Sequence, residues 1–306
     1  MTSPRLIAVG AIFTTSLYRV PRVPPPPAKV LASAMRQVVD GMAISAACAF
    51  QRLGGTAAVW SRVGEDAAAE AMRLALTAEG LDASGLHTVP GSFSAQSTVL
   101  LDDAGERLVV PFFDPDVDPS ADWLPLALLD HADFLHCDPR WVEGAEAAMR
   151  AARARSLPAM LDGDVAPAAV LDRLVPLATH VVFSDAGLLA YTHRDDVGQA
   201  LREVARHHHG HIGASCGRRG YVWLEEGQLR HVPAPVVDVV DTLAAGDVFH
   251  GALALALAEG QPVDAAARFA CVAASLKCTR FGGRLGCPTR EEVLRFERDS
   301  AADGLD

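Results

Sequence analysis

Short apolar runs alternate with Ala-rich stretches along most of the chain, and this alternation limits the fold more than any other feature. The apolar runs are "RLIAVG" (5–10), "AAVWSRVG" (57–64), "ADFLHCD" (132–138), "LPAMLDGD" (157–164), "THVVFSD" (179–185) and "GHIGASCG" (210–217). Between them lie "SAACAFQRLGG", "DAAAEAMRLALTAEG", "EGAEAAMRAARARS", "APAAVLDRLVPLA" and "DDVGQALREVARHH", all with helical spacing. Runs apolar throughout suit strands buried on both faces, and parallel neighbours need crossover helices to join them. The expected class is α/β, a mostly parallel sheet with helices on both faces, and ligands in such sheets bind at the carboxyl ends of the strands. A length of 306 residues fits one large α/β domain or two ordinary ones.

Two segments interrupt the rhythm. "RVPRVPPPPAKVLAS" (19–33) is too rich in proline for a central strand. "SFSAQSTVLLDDAGERLVVPFFD" (92–114) reads as two strands joined at "DDAGER", a hairpin appended to the parallel fold as a lid or a dimer surface. The polar tail "RDSAADGLD" is expected to fray.

The balance of 27 basic against 38 acidic residues, a net charge of −11, argues against nucleic acid or an anionic membrane as partner. No apolar run approaches the roughly 18 residues that cross a bilayer, and the first residues read as a strand rather than a signal peptide. A cytoplasmic protein is expected. Cys48, Cys137, Cys216, Cys271, Cys278 and Cys287 form no C-x-x-C pair and read as reduced core thiols. The "HHHGH" run (207–211) invites a metal reading, but consecutive histidines on a helix diverge, so a solvated helix end is expected.

The stretch "VVDTLAAGDVFHGALALALAEG" (239–260) concentrates the chemistry. Ala244, Ala245 and Gly246 form a small-residue loop, and a helix starts at about Gly246. The first N–H groups of a helix have no internal partners and carry the positive end of its dipole, so a backbone free of bulky side chains there can hold a phosphate or an oxyanion. Asp247 inside that hole suits a base that takes a proton from an attacking hydroxyl. Residue spacing alone fits equally well a plain helix cap at Asp247 and a strand end at Asp241.

At this point the sequence resembles the ribokinase (PfkB-type) carbohydrate kinases. "DTLAAGDVFHGALA" (241–254) is similar to their C-terminal signature, and "RLGGTAAVWSRVGEDAAAEAMRLALTAEGLD" (52–82) to their N-terminal block. "DDAGERLVV" resembles their lid hairpin and "SCGRRGYVWLEEGQLRHVPAPVVDVVDT" (215–242) their nucleotide-side strand and turn. Together "DPRW", "LDGDV", "VFSDAGL" and "LKCTRFGGRLGCP" resemble the subgroup that includes bacterial sulfofructose kinase; one shared departure is Ser184-Asp185-Ala186-Gly187 where other members carry N-x-x-E. The resemblance implies one ribokinase-like domain over 1–306, with lid segments at about 14–33 and 92–114.

It also implies roles. Asp247 would be the general base, with Ala244, Ala245 and Gly246 giving N–H groups to the transferring phosphoryl. Asp162 and Asp164 would hold Mg²⁺; from the residues alone, Asp164 serves equally as a helix cap. Asp241 would be a ligand for K⁺. Ser184, Ser215, Gly217, Gly220, Thr242, Lys277, Gly282 and Gly283 would shape the ATP site, which uses no G-x-x-x-x-G-K-[ST] loop; the chain has none.

The departures fall on the acceptor side. Ala11 and Thr15 stand where the family's first strand carries two acids, Asp40 replaces the first glycine of the substrate loop "DGMAIS", and Ser45 replaces its Asn. Thr15, Gly41 and Ser45 remain candidate sugar contacts, without the strength of a carboxylate. Lys29 and Arg140 are candidates to hold a phosphate, sulfonate or carboxylate on the acceptor; the plainer roles are a solvated Lys29 and an Arg140 paired with Asp138 or a helix carboxylate. Trp141 is expected to pack. The expected function is ATP-dependent phosphorylation of a sugar or anionic sugar derivative, by a homodimer joined through the lid. The alternatives are a non-catalytic nucleotide- or sugar-binding protein, and a nucleoside kinase, which would want an apolar lid and no Lys29–Arg140 pair.

Overall fold

The structure is a computed structural model that describes residues 3–302. Its strands are β1 (Arg5–Val9), β2 (Phe13–Val20), β3 (Ala34–Asp40), β4 (Thr56–Val63), β5 (Asp82–Thr88), β6 (Gln96–Asp102), β7 (Arg107–Phe112), β8 (Phe134–Cys137), β9 (Ala159–Gly163), β10 (His180–Ser184), β11 (His211–Ser215), β12 (Tyr221–Glu225) and β13 (Gln228–Val232). Its helices are α1 (Met42–Arg52), α2 (Ala67–Ala78), α3 (Val142–Ala154), α4 (Ala168–Leu174), α5 (Asp185–Thr192), α6 (Val197–Val204), α7 (Ala245–Ala258), α8 (Val263–Cys278) and α9 (Arg290–Ala302). The nine-stranded sheet runs β13-β12-β11-β10-β9-β8-β1-β4-β5, parallel except at β12 and β13.

All six apolar runs are strands of this sheet, and the reason is visible along β1. Leu6 and Ala8 belong to the core under α1, α2, α7 and α8, while Ile7 and Val9 belong to the core under α3 to α6. Every position is therefore apolar, because each face of the sheet is covered. Strands β4 and β5 extend the sheet on one side of β1, and β8 to β11 on the other. This reversal between β1 and β8 is where an open α/β sheet leaves a crevice for ligands.

A second sheet, ordered β3-β2-β6-β7, stands over that crevice. The hairpin expected at 92–114 is β6 and β7, but it is not a free appendage: β6 pairs in parallel with β2, and β2 pairs with β3. The first lid segment thus extends beyond 14–33 to take in β3, with the prolines in the connection. Edge strand β7 exposes Leu108, Val109, Val110 and Phe112. Of the tail expected to fray, 298–302 completes α9 and the rest lies outside the described residues.

Other expectations hold with one correction. Five of the six cysteines are buried, Cys278 is half-buried, and all are unpaired. Trp141 packs beneath the Arg62 guanidinium and beside Trp123. The histidine run is only partly a solvated helix end. Helix α6 stops at Val204, His208 is 5% exposed, and His211 enters β11, where its Nε2 lies 2.6 Å from the Tyr221 hydroxyl. No described helix is long and apolar enough to cross a membrane.

Helix α7 is buried from Val248 to Ala256 and lies tight against α1. A Cβ on Gly251 would come within 2.2 Å of the Ala46 carbonyl oxygen and 2.9 Å of Ala49 Cβ. This close approach sets how far the α7 N-terminus stands over the sheet. Gly251→Val is expected to lower unfolding free energy by about 3 kcal/mol through overpacking; an unchanged urea midpoint would show that the two helices separate freely.

Candidate active site

The carboxyl ends of β8 to β11, the N-terminal turn of α7 and the inner face of the lid sheet enclose a cleft of about 640 Å³. The turn is shaped by its sequence. Asp241 Oδ1 accepts from Leu243 N at 2.8 Å, and Ala244 then takes a left-handed conformation with φ 62°. An alanine there costs on the order of 1 kcal/mol, a strain that the surrounding contacts must sustain. It turns the chain so that Ala245 opens α7.

The N–H groups expected to form the anion hole divide. Ala245 N is bonded inward to the Thr242 carbonyl at 3.2 Å. Among the described residues, Ala244 N, Gly246 N and Asp247 N have no partner. A Cβ on Gly246 would meet nothing within 4 Å, so this position opens onto the cleft. The donor set is thus Ala244, Gly246 and Asp247, with Ala245 holding the turn.

Asp247 lies at the cleft floor, partly open to it and otherwise enclosed by protein. Burial raises its pKa well above the ordinary carboxylate value, and the charges of Asp162, Asp40, Asp164 and Asp138 raise it further. Asp138 is itself pushed up to about 6, chiefly by burial, although its oxygens accept from Arg140 N and Ala43 N. Five aspartates line the cleft, Asp40, Asp162, Asp164, Asp185 and Asp247, against Arg107 and Arg140.

Such an excess of carboxylates fits a site that receives a divalent cation. Asp162 and Asp164 both face the cleft, as the Mg²⁺ reading requires. Neither is free of protein partners. Asp164 accepts from Arg140 Nη2 at 2.9 Å and Ser184 Oγ at 3.1 Å, and Asp162 Oδ2 lies 3.0 Å from His250 Nδ1. Mg²⁺ that keeps most of its waters suits carboxylates already engaged on one side.

His250 escaped the sequence reading, although it is the one ionisable group in the apolar part of α7. Burial disfavours its charged form, but Asp162, the Val182 carbonyl and Asp164 together outweigh this and its pKa is raised. Its Nε2 lies 3.2 Å from the Val182 carbonyl, while Nδ1 approaches Asp162 Oδ2 at 3.0 Å without hydrogen-bond alignment. Arg107 also went unrecognised, inside the hairpin motif; its Nη1 donates to Thr242 Oγ1 at 3.1 Å from the lid. Only the three-dimensional fold brings that arginine to the anion hole.

The remaining candidates separate into those at the cleft and those elsewhere. Thr15, Gly41, Arg140, Ser184, Ser215, Gly217 and Thr242 line it. Lys29 is exposed on the proline-rich connection and does not line the cleft, so no Lys29–Arg140 pair forms. The Arg140 guanidinium is paired with Asp164, a loop carboxylate after β9, rather than with Asp138 or a helix carboxylate; only its main-chain N–H donates to Asp138. Ser45 is fully buried and donates to Asp40 Oδ1, acting through Asp40 rather than on a ligand. Gly220 is a packing glycine, whose Cβ would lie 2.0 Å from the Val232 carbonyl oxygen.

Asp241, Lys277, Gly282 and Gly283 form a buried knot behind the hole rather than separate metal and nucleotide contacts. Gly282 N and Gly283 N donate to Asp241 Oδ2 at 2.9 and 2.8 Å, and Lys277 Nζ donates to the Asp241 carbonyl at 2.6 Å. A K⁺ ion would need those same Asp241 oxygens, so the site does not fit it.

The family model of the pfkB family carbohydrate kinases matches residues 4–290. The chain is 26% identical over 303 residues to a ribokinase of Haemophilus influenzae, covering 95% of this chain and 97% of that protein. It is 28% identical over 277 residues to a fructokinase of Vibrio alginolyticus, covering 84% and 90%. The crystal structure of a ribokinase candidate from Agrobacterium tumefaciens superposes with a TM-score of 0.95 at 40% identity, covering 98% of this chain and 99% of that one.

The raised pKa of Asp247 has a sign that stability measurements can read. Its folded value lies above its unfolded value, so ionisation as pH rises through the folded value costs folding free energy. Asp247→Asn is therefore expected to be more stable than the parent by about 1 kcal/mol at pH 8. That advantage should shrink as pH falls toward the unfolded carboxylate value of roughly 4. Thermal unfolding across pH checks this, and a less stable variant at pH 8 would contradict it.

Proposed function

The chain belongs to the pfkB family of carbohydrate kinases and is an ATP-dependent carbohydrate kinase, and we propose from that premise how its cleft works and what it accepts. The reading is carried by one observation: Asp247 stands at the N-terminus of α7 beside unpartnered N–H groups, at the floor of a cleft lined on both sides by polar residues. The nucleotide lies along the side lined by Ser184, Ser215, Gly217 and Thr242, with its terminal phosphoryl at the hole. The acceptor lies under the lid, against Thr15, Asp40 and Gly41.

In this arrangement Asp247 takes the proton of the attacking hydroxyl, which can then attack phosphorus in line. Ala244, Gly246 and Asp247 N–H groups hold the negative charge that develops on the transferring oxygens, and preorganised donors of this kind are worth more in a site closed from water. Arg107 on the lid adds positive charge at the same place when the lid is down. Mg²⁺ held through water at Asp162 and Asp164 would neutralise phosphate charge and favour the ionised form of Asp247.

For the acceptor, Asp40 supplies the carboxylate that Ala11 and Thr15 do not, and the Ser45 hydroxyl fixes its orientation. Arg140 is the acceptor-side cation, and it favours a sugar bearing a phosphate, sulfonate or carboxylate. The exposed apolar face of β7 is where two copies pair in the cytoplasm. Sedimentation at micromolar concentration should show a dimer; a monomer would remove that part of the reading.

Acceptor-dependent ADP release is the direct test, with D-ribose, D-fructose, fructose 6-phosphate and 6-sulfonated fructose as the panel. Turnover is expected with an anionic ketose, and none with any sugar would overturn the assignment. Arg140→Met should raise KM for the anionic acceptor about tenfold or more and raise it far less for a neutral ketose, any change common to both reporting the loss of its pair with Asp164. Asp247→Asn should lower kcat about 10³-fold with nearly unchanged affinity for an ATP analogue; a retained rate would exclude it as the base.

A further inference from the structure

Lys277 sits in the last turn of α8 with no exposed surface. A buried ammonium persists only where it is paired, and the partner here is Asp241, also fully buried. Lys277 Nζ donates to the Asp241 carbonyl at 2.6 Å and lies 3.5 Å from its Oδ1. The other bonds of Asp241 go to two loops, one bordering the cleft and one behind it. Oδ1 accepts from Leu243 N, just before the anion hole, and Oδ2 accepts from Gly282 N and Gly283 N, after α8. The two loops also meet directly, where Val240 N and Asp241 N donate to the Cys278 carbonyl. The C-terminal end of α8 adds its own negative dipole, which favours a cation at this point.

A single positive charge is therefore bound by a carbonyl and a carboxylate behind the anion hole, and it comes from a side chain. Ammonium is a compact point charge with several donors, the kind of group that can do the work of a small monovalent ion. We propose that the Lys277 ammonium is this kinase's built-in monovalent cation, and that phosphoryl transfer by this chain does not need K⁺. Lys277 is a positioning residue: it touches neither nucleotide nor acceptor and acts by holding Asp241, and through Asp241 the turn that presents Ala244, Gly246 and Asp247. The inference rests on the kinase reading above.

The test is a salt series at constant ionic strength in K⁺, Na⁺ and tetramethylammonium chlorides. Two readouts are taken, ADP release with the acceptor panel and calorimetric affinity for Mg·AMP-PNP. The parent should give the same kcat and the same affinity in all three salts, within about twofold. A stimulation by K⁺ of about tenfold or more in either readout would overturn the proposal. Lys277→Met removes the charge at similar volume. It should lose about 10² in kcat in tetramethylammonium and regain much of that in K⁺ or ammonium chloride. A folded variant that is inactive and indifferent to K⁺ would show a merely structural lysine and overturn the proposal. If the variant does not fold, the parent's salt series decides alone. Failure of the kinase reading looks different: no ADP release in any salt, with the Mg·AMP-PNP affinities still deciding whether K⁺ matters.

Discussion

The buried carboxylate of Asp241 is the interaction on which the site depends. It accepts from Leu243 N before α7 and from Gly282 N and Gly283 N after α8, and it lies 3.5 Å from the Lys277 ammonium, which donates to the Asp241 main-chain carbonyl. Without it the left-handed Ala244 has little to hold it, since an alanine would leave that conformation for a relaxed one. The strained turn is what leaves Ala244 N, Gly246 N and Asp247 N without internal partners. An anion hole is a set of unmet hydrogen bonds held still, and here buried charge behind the turn holds it still.

A second constraint is the crowding of carboxylates. Asp40, Asp138, Asp162, Asp164 and Asp247 converge where β8, β9, β3 and α7 meet; burial pushes Asp247 upward first, and their mutual repulsion adds to it. His250 answers part of that charge from beneath, by contact with Asp162. Such a cluster is destabilising for the folded chain alone and useful once cations arrive with the nucleotide. The same burial and repulsion that cost stability place the base's pKa nearer the pH at which it must exchange protons.

Much of the fold was legible because hydrophobic patterning reports burial on two faces. Six of the seven parallel strands could be read from continuous apolar runs such as "RLIAVG", since β1 alternates between two cores; edge strand β5, "DASGLHT", carries no such run. Strands β2 and β3 were obscured by prolines and polar residues, because they belong to a sheet with one face open to the cleft and to solvent. Asp247 and the hole were legible because a helix start free of bulky side chains has a local signature. Arg107, His250 and the Lys277–Asp241 knot were not, because each depends on partners distant along the chain, as with Lys277 and Asp241 across 36 residues. Lys29 misled for the converse reason: it is near the lid in sequence but lies outside the cleft in space.

The central claim is that Asp247 must ionise, from a raised pKa, before the phosphoryl group can move. The rate of a single turnover, measured by rapid quench from pH 5 to 9 with Mg·ATP and acceptor well below saturation so that it reports the free enzyme, tests it directly. The rate should climb with pH through one ionisation above the ordinary carboxylate range of roughly 4 and then level off. A rate constant across that whole range would mean that no raised carboxylate gates the step, and would contradict the assignment of Asp247.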